Sequence, residues 1–327
     1  MSKLAVVMTP ERAEDVIDPA TRALIEQRFE VTWAPGISPE TVAALSRDAD
    51  VVLTSWGTPH LSKDIWADGA GPKAVAHAAG SVKKLVDPVI FDQGVAVFTA
   101  GGRIAWSVGE YCLAAMLTLA RRLPRFDGAI RAGGWKQTAY RGHELAGAKV
   151  GILGASSTAR ALITLLKPFG CDVVVYDPYL SDERATELGV RRAELEETLQ
   201  ARFVSLHVPN VPETQGMVTR KLIEQLPDGA VVVNSSRGPA IDQAALLEHA
   251  LDGRIHAALD VYDPEPPTFD QKVLEAPNLL LTPHVAGDTE EGHLALAGHV
   301  IADVIQYLDH GTRGPSYVDP ASWAIQA

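Results

Sequence analysis

Three short segments in the second half of the chain combine a strand-like run with a residue that can do chemistry. They end in an arginine at Arg237, a glutamate at Glu265 and a histidine at His284. A guanidinium offers a fork of donors to a carboxylate, and a carboxylate beside an imidazole favours the protonated ring of an acid–base catalyst. Because parallel strands place their carboxyl ends at one edge of a sheet, we expect these three side chains to converge in a crevice there.

Each of the three residues also has a plain structural interpretation. An isolated Arg237 would be a surface charge, and an isolated His284 would be an ordinary loop histidine. Glu265 is surrounded by prolines, which also fits a rigid surface loop. The ordered combination of the three segments favours the functional interpretation. No such spacing supports other histidines, such as His60, His143 and His249.

A possible cofactor turn lies in the segment V-G-I-L-G-A-S-S-T-A-R, which predicts a strand, a turn and a helix start. Of the three glycines in a G-x-G-x-x-G turn, only Gly154 is present, with Ser156 and Ala159 at the other positions. A Cβ at the second position keeps the backbone away from a pyrophosphate. A hydrogen bond from the Ser156 hydroxyl to phosphate would offset that loss. The turn alone therefore also fits an ordinary strand–helix connection. The open amides around Ser157 and Thr158 are expected to receive the pyrophosphate.

An acidic residue, Asp177, ends the next strand-like run, roughly 20 residues after this turn. At this spacing a carboxylate binds the ribose hydroxyls of adenosine, and its charge would repel a 2′-phosphate. The sequence therefore predicts NAD as the cofactor and disfavours NADP. The alternative is a carboxylate that only caps the strand end before Pro178.

At these residues the sequence resembles the D-isomer-specific 2-hydroxyacid dehydrogenase family, with phosphoglycerate and glycerate dehydrogenases among its members. The segments N-S-S-R-G, L-D-V-Y-D-P-E-P and T-P-H-V-A-G carry the resemblance, together with H-A-A-G-S and V-G-E earlier in the chain. Their order and spacing extend over nearly the whole sequence. The resemblance implies an NAD-dependent oxidoreductase that interconverts a small 2-oxo acid and a (D)-2-hydroxy acid.

The resemblance also implies a role for each matching residue. His284 would be the acid/base that protonates the carbonyl oxygen during reduction, and Glu265 would orient it. Arg237 would bind the substrate carboxylate and polarise the carbonyl. Asp260 would hold the nicotinamide carboxamide. Three further residues would line the same ring, namely Ser235, Ser236 and Gly287.

A second matching segment lies in the first half of the chain. The resemblance implies that the backbone amides of Ala79, Gly80 and Ser81 bind the substrate carboxylate, and Gly80 suits a close backbone approach. This loop departs from the common Gly-Val-Gly version, so the pocket is expected to differ in shape. Trp56 is expected either to border that pocket or to serve only in packing.

Strand-like runs alternate with helical patterns along the chain, which predicts an α/β fold with doubly wound parallel sheets. The main runs lie at 4–8, 51–54, 73–77, 95–98, 150–153, 173–176, 203–206, 231–234 and 257–261. We expect two Rossmann-like domains. An NAD-binding domain would cover residues 106–289, and a discontinuous, flavodoxin-like substrate domain would cover 1–105 and 290–327. Helical patterns at 106–123 and 289–308 would connect them.

The bulk properties limit the function classes. The 327 residues carry a formal net charge of −12, which argues against nucleic acid and anionic membranes as partners. Cys112 and Cys171 lack metal-ligand spacing, so no metal site is expected, and they suggest a reducing cytoplasmic environment. Neither a signal peptide nor a membrane span is expected. The resemblance implies a homodimer formed through the cofactor domain.

Other functions stay open at this stage. A relative acting on a small anion such as formate or phosphite would share the fold, although formate dehydrogenases pair the histidine with Gln where this chain has Glu265. A cofactor-gated interaction module, as in the corepressors that resemble this family, can retain the same residues. The incomplete glycine turn also allows an enzyme that has lost its activity and binds NAD weakly.

Overall fold

The computed structural model describes residues 1–136 and 140–325, and the chain forms two compact units. The first unit consists of Met1–Ile104 with Asp288–Ala327, and the second consists of Ala105–Gly287. Each unit has a parallel sheet of its own. Among the described residues, no helix has the length and apolar character needed to span a membrane.

The sheet of the first unit has five parallel strands in the order β2-β1-β3-β4-β5. The strands are β1 Ser2–Val6, β2 Phe29–Trp33, β3 Val51–Thr54, β4 Ala74–His77 and β5 Ala96–Thr99. This is the flavodoxin-like strand order. Every residue of β3 and β4 is buried, as expected for central parallel strands that are covered on both faces.

Helices of the first unit begin at clear capping residues. With all helices numbered along the chain, they are α1 Pro10–Val16, α2 Pro19–Arg28, α3 Pro39–Arg47, α12 Glu290–Leu294 and α13 Leu296–His310. The first three start with proline after a polar residue whose side chain accepts a backbone N–H, which satisfies a donor that the helix itself cannot. Helix α13 packs on β4 and β5 and completes the core of this unit.

The second unit has a seven-stranded parallel sheet in the order β12-β11-β10-β9-β6-β7-β8. The strands are β6 Lys149–Leu153, β7 Asp172–Tyr176, β8 Arg191–Arg192, β9 Phe203–Leu206, β10 Val231–Asn234, β11 His256–Leu259 and β12 Leu279–Leu281. This is the dinucleotide-binding order with one strand added at an edge. The strand order reverses between β6 and β9, so a crevice at their carboxyl ends is the expected ligand site.

The second unit contains helices as well. They comprise residues 105–120 of α4 Gly101–Ala120, then α5 Leu123–Arg131, α6 Ser157–Leu166, α7 Asp182–Leu188, α8 Leu195–Leu199, α9 Arg220–Glu224, α10 Gln243–Leu251 and α11 Gln271–Leu274. A Cβ on Gly109 of α4 would lie 2.9 Å from the Ala161 Cβ of α6. The missing side chain therefore lets α4 lie close against α6.

The predicted α/β fold with two parallel sheets is confirmed, with differences at the level of elements. Strands β2 and β8 were not predicted, and β12 was expected only as the strand-like run before His284. The helix expected at 106–123 begins earlier, at Gly101, and ends at Ala120, so that Leu123 starts a separate helix. The helical pattern at 289–308 forms two helices, α12 and α13.

Candidate active site

The candidate site lies at the carboxyl edge of the second sheet. Six parallel strands end there, and each is followed by a polar residue or a glycine that the sequence places at the strand end. These are Gly154 after β6, Asp177 after β7, His207 after β9, Ser235 after β10, Asp260 after β11 and Thr282 after β12. Because all six strands are parallel, these residues share one edge.

His284 and Glu265 form a hydrogen bond, as the resemblance implies. His284 Nδ1 lies 3.1 Å from Glu265 Oε2, and the other carboxylate oxygen accepts the Tyr262 amide at 2.9 Å. The His284 side chain is 54% exposed, and its Nε2 has no hydrogen-bond partner among the described residues. Its backbone has a left-handed φ of 59°, which histidine adopts more readily than most residues.

The loop that carries His284 is held by a buried carboxylate. Asp260 is 1% exposed, and its Oδ1 accepts the Thr282 hydroxyl at 2.7 Å and the Val285 amide at 2.8 Å. Its Oδ2 accepts the Ala286 amide at 2.9 Å. Residues on both sides of His284 are therefore anchored to one side chain. The nicotinamide contact expected for Asp260 stays a prediction.

Tyr262, whose role no sequence motif predicted, joins the ends of two strands. Its hydroxyl lies 2.8 Å from the carbonyl oxygens of both Leu259 and Thr282. Burial raises the pKa of Tyr262 to about 12, so the group stays a hydrogen-bond donor at any physiological pH. A Cβ on Gly238 would overlap the Tyr262 carbonyl, so only glycine lets these two loops meet.

Arg237 is within electrostatic range of Glu265. Its Nη1 donates to the Ser236 carbonyl at 2.6 Å, which fixes the guanidinium. Burial lowers the pKa of Arg237 and the charge of Glu265 opposes that effect, so the two groups act on each other electrostatically. A guanidinium that is partly removed from water and not fully paired is suited to binding an anion.

A buried asparagine shapes the loop from 234 to 237. Asn234 Oδ1 accepts both the amide and the hydroxyl of Ser236, at 3.1 and 2.9 Å, and its Nδ2 donates to the Arg237 carbonyl at 3.0 Å. Both serines that were predicted to line the nicotinamide ring have hydrogen-bond partners within the protein. The Ser236 hydroxyl is used within the loop, and the Ser235 hydroxyl lies 3.1 Å from Cys112 Sγ. Gly287 is half-buried at the end of the second unit.

The turn after β6 combines a left-handed glycine with a helix-capping serine. Gly154 has a φ of +88°, and a Cβ there would lie 2.8 Å from the His207 carbonyl oxygen. Ser156 has extended backbone angles and caps α6, with its hydroxyl accepting the Ala159 amide at 3.5 Å. A serine therefore fits the second position without backbone strain, because the chain uses its hydroxyl as the helix cap.

Asp177 is tied to the same turn. Its Oδ2 accepts the Ala155 amide at 2.7 Å, and its Oδ1 accepts the Tyr179 amide at 2.8 Å. An ionised carboxylate has about four acceptor positions, so two remain for other donors. The carboxylate is half-buried at the end of β7.

These residues fit a dinucleotide. A carboxylate acceptor at the end of β7 suits ribose hydroxyls. Ser157 and Thr158 are the first residues of α6, so their amides cannot bond within the helix and suit a pyrophosphate, which accepts hydrogen bonds only. Among the described residues there is no group of three or more His, Cys, Asp or Glu side chains that would hold a metal ion.

His207 is a polar residue at this edge that the sequence motifs do not mark. It is 3% exposed, and its ring nitrogens lie 2.9 Å from the hydroxyls of Thr158 and Ser205. Burial lowers the pKa of His207 to about 3, so the ring is neutral at physiological pH. The available signal was its position, directly after the strand-like run at Phe203–Leu206.

The predicted substrate loop belongs to the first unit, where it follows β4. The Thr99 hydroxyl contacts the carbonyl oxygens of Ala79 and Gly80. These contacts do not involve the amides of the loop. The exposed Ser81 accepts the Lys83 amide at 3.5 Å.

Trp56 belongs to the same unit and follows β3. It is 39% exposed, and its ring centroid lies 5.2 Å from that of His293. The Arg12 guanidinium lies 5.4 Å from the Trp56 ring centroid and also contacts Asp15. His293 is held by two carboxylates, with Nδ1 3.0 Å from Asp15 and Nε2 3.1 Å from Asp288.

Comparison with known proteins decides the family. Residues 113–286 match the family described as D-isomer specific 2-hydroxyacid dehydrogenase, NAD binding domain. The chain belongs to this family. The matched segment is more than half of the chain, and it includes Arg237, Glu265 and His284. The resemblance drawn from the sequence motifs is thereby confirmed.

Members of the 2-hydroxyacid dehydrogenase family are similar over most of the chain. D-3-phosphoglycerate dehydrogenase of Mycobacterium tuberculosis is 31% identical over 305 residues, which cover 89% of this chain and 57% of the relative. Hydroxypyruvate reductase of Thermotoga maritima is 29% identical over 294 residues, which cover 88% of this chain and 94% of that protein. The chain thus spans little more than half the length of the phosphoglycerate dehydrogenase it matches.

A solved structure shows the same fold. The crystal structure of a phosphoglycerate oxidoreductase from Rhizobium etli superposes with a TM-score of 0.85 and 22% sequence identity. The alignment covers 98% of this chain and 99% of that one.

Proposed function

We propose that this chain catalyses the NAD-dependent interconversion of a small 2-oxo acid and a (D)-2-hydroxy acid. The proposal rests on the 3.1 Å hydrogen bond between His284 and Glu265, with Arg237 in the field of the same carboxylate. The three groups belong to a segment that matches the NAD-binding domain of the family. The names of the curated relatives point to hydroxypyruvate and 3-phosphoglycerate, both of which belong to this class of acid.

His284 is the proton donor and acceptor in this proposal. Glu265 fixes Nδ1, which leaves the exposed Nε2 to face the substrate oxygen. In reduction Nε2 gives a proton to the carbonyl oxygen, and in oxidation it takes the proton from the hydroxyl group. The carboxylate of Glu265 stabilises the imidazolium that forms in the second case.

Arg237 binds the substrate in this proposal. One nitrogen is held by the Ser236 carbonyl, so the remaining N–H groups are aimed rather than free to rotate. They bind the carboxylate and stabilise the charge that develops on the C2 oxygen, which a single lysine ammonium would not do in the same geometry. A bound nicotinamide ring would supply or accept the hydride.

We propose NAD rather than NADP as the cofactor. Asp177 keeps two acceptor positions beyond its bonds to the amides of Ala155 and Tyr179. Ribose hydroxyls can donate to these positions. A 2′-phosphate would bring two negative charges next to the carboxylate and is disfavoured by repulsion.

The roles of the first-unit residues are part of the same proposal. Gly80 is the residue that supports this role. Its backbone φ is not positive, and a Cβ there would lie 3.6 Å from the Ile104 side chain, which is an ordinary contact. Neither conformation nor packing within the protein requires glycine there. A requirement for close approach of a substrate carboxylate to the amides of Ala79, Gly80 and Ser81 would explain it.

The test is NADH oxidation at 340 nm with glyoxylate, hydroxypyruvate, pyruvate, 2-oxoglutarate, phenylpyruvate and phosphohydroxypyruvate, repeated with NADPH. We expect turnover of at least one acid with NADH and a lower kcat/KM with NADPH. We expect His284→Ala to lower kcat by at least about a hundredfold, with little change in NADH affinity. His310→Ala, at the exposed end of α13, is the matched control.

Two results would contradict the proposal. Unchanged turnover in His284→Ala would remove the acid–base role of this residue. Binding of NADH without turnover of any acid in the panel would favour the interaction-module alternative.

We further propose that the protein is a homodimer formed through the second unit. Leu123 and Ile130 of α5 are 53% and 55% exposed, which leaves apolar surface that a second copy would cover. Light scattering would give twice the mass of the chain if this is correct.

A further inference from the structure

Both ring nitrogens of His207 form hydrogen bonds next to the proposed cofactor turn. Its Nδ1 lies 2.9 Å from the Thr158 hydroxyl, and its Nε2 lies 2.9 Å from the Ser205 hydroxyl. The His207 and Ser205 side chains are buried, whereas Thr158 is half-buried in the first turn of α6. The ring therefore connects the buried end of β9 with the surface that would receive a pyrophosphate.

The chemistry of a neutral imidazole limits the arrangement to two states. Burial lowers the pKa of His207 to about 3, so one ring nitrogen carries the hydrogen and the other accepts one. Hydroxyl groups can donate or accept, so Thr158 and Ser205 satisfy either tautomer. The tautomer is therefore decided by what lies beyond the two hydroxyls.

On the buried side, Ser205 can give its hydrogen to the ring. Burial raises the pKa of Cys112 to about 11, with the Ser235 and Ser205 hydroxyls opposing that effect, so the thiol is protonated and can donate to a hydroxyl oxygen. If Ser205 donates to Nε2 of His207, its oxygen is then free to accept from the thiol. In this arrangement His207 carries its hydrogen on Nδ1.

On the surface side, a pyrophosphate would impose the same direction. Phosphate oxygens accept hydrogen bonds and cannot donate them, so the single hydrogen of the Thr158 hydroxyl would turn toward the anion. Thr158 could then only accept from the ring, which requires the hydrogen on Nδ1. The neighbouring Ser156 hydroxyl, 2.9 Å from that of Thr158, faces the same choice.

We propose that His207 is a positioning residue of the cofactor site, which directs the Thr158 hydroxyl hydrogen toward the pyrophosphate by donating to Thr158 Oγ1 from Nδ1. His207 itself touches no substrate or cofactor in this arrangement, and it acts through Thr158. The inference rests on the proposed function, because it requires that NAD binds at this turn.

The direct test is the tautomer of His207 in the bound protein. With ¹⁵N-labelled histidine, NMR chemical shifts distinguish a protonated from an unprotonated ring nitrogen. In the complex with ADP-ribose we expect Nδ1 to be protonated and Nε2 to be unprotonated. The opposite tautomer in that complex would overturn the proposal.

The second test measures ADP-ribose binding by calorimetry in a mutant cycle of His207→Leu, Thr158→Val and the double variant. We expect each single change to weaken binding about tenfold, the size expected for losing an oriented hydrogen bond to a charged group. We expect the double variant to be no weaker than Thr158→Val, because His207 acts through that hydroxyl. Independent losses that add would indicate a role for His207 in packing alone and overturn the proposal.

Conservative variants separate positioning from folding. His207→Asn places an amide donor near the position of Nδ1, so it should bind ADP-ribose within about threefold of the unchanged protein. Thr158→Ser keeps the hydroxyl and should do the same. If neither ADP-ribose nor NADH binds the unchanged protein, the proposed function fails together with this inference. If both bind and the His207 and Thr158 variants bind equally well, only this inference fails.

Discussion

At the scale of single residues, Asp260 holds the proposed acid/base in place without touching it. Its carboxylate receives three hydrogen bonds from residues on both sides of His284, whereas Glu265 contacts the imidazole itself. His284 has a left-handed backbone, so its loop would relax if these bonds were lost. The orientation of the histidine therefore depends on a side chain that is closed off from solvent.

We predict that Asp260→Asn lowers the free energy of unfolding by about 2–3 kcal/mol. The new amide would point a donor at a backbone donor, because the carboxylate oxygens accept from Val285 and Ala286. Urea unfolding measures the loss. Asp263→Asn, exposed on the neighbouring loop, is the control, and an equal stability of both variants would contradict the prediction.

Residue types and their order were enough to predict the proposed catalytic set, although not its supports. Arg237, Glu265 and His284 follow strand-like runs, and their chemistry is visible in the sequence. His207 also follows such a run. Its proposed role depends on hydrogen bonds to the hydroxyls of Ser205 on β9 and Thr158 on α6, which lie far from each other along the chain. No spacing rule joins them, so only the fold reveals the contact.

At the scale of elements, the start of α6 shows how one serine replaces a glycine. The Ser156 hydroxyl accepts the Ala159 amide, a donor that would otherwise lack an intrahelical partner. Its Cβ is tolerated because the backbone is extended there. The same helix start is where a pyrophosphate is expected, and the cap uses the Ala159 amide but leaves those of Ser157 and Thr158 for the cofactor.

We predict that Ser156→Ala lowers the free energy of unfolding by about 1 kcal/mol, the usual value of a lost helix cap. Ser156→Gly should cost only a few tenths of a kcal/mol, because glycine is itself an acceptable cap. Thermal or urea unfolding distinguishes them. The exposed Ser157→Ala change is the control, and a Ser156→Ala variant as stable as that control would argue against the capping role.

The elements that were missed share a physical reason. Strand β2 has only one fully buried residue, Phe29, and pairs along a single edge, so its pattern lacks a continuous apolar run. Strand β8 is two residues long and is also an edge strand. The central strands β9 and β10 were predicted with correct bounds, because burial on both faces makes them wholly apolar or nearly so.

At the scale of the whole molecule, both units contain buried histidines that must stay neutral. Burial lowers the pKa of His77 in the first unit to about 4 and that of His207 in the second to about 3. Burial similarly lowers the pKa of His256 to about 4. In the unfolded chain these rings would take up protons near pH 6.5. The unfolded chain therefore binds more protons than the folded one as the pH falls below that value.

We predict that the protein loses stability on acidification in a window from about pH 6.5 down to about pH 4. The favourable contribution of each neutral ring is complete above the unfolded pKa, and it falls by about 1.4 kcal/mol per pH unit below it. Between pH 7 and pH 5 each ring would cost about 2 kcal/mol. Urea unfolding at the two pH values measures the sum.

The variants His77→Asn and His207→Asn should each reduce that loss, because the amide does not titrate. The exposed His310→Gln change should leave it unaltered. A free energy of unfolding that is the same at pH 7 and pH 5 would contradict the prediction, as would an identical loss in all variants.

The first unit is built from two stretches of chain with the whole second unit between them. The core on one face of its sheet contains Leu4 and Val6 together with Val300 and Ile301 of α13, residues that a ribosome adds only after the whole second unit. During synthesis the second unit can therefore fold while α13 is still missing from one face of the first sheet. A truncated product ending before α13 would expose that apolar face to water. Such a product would tend to aggregate or to bind chaperones.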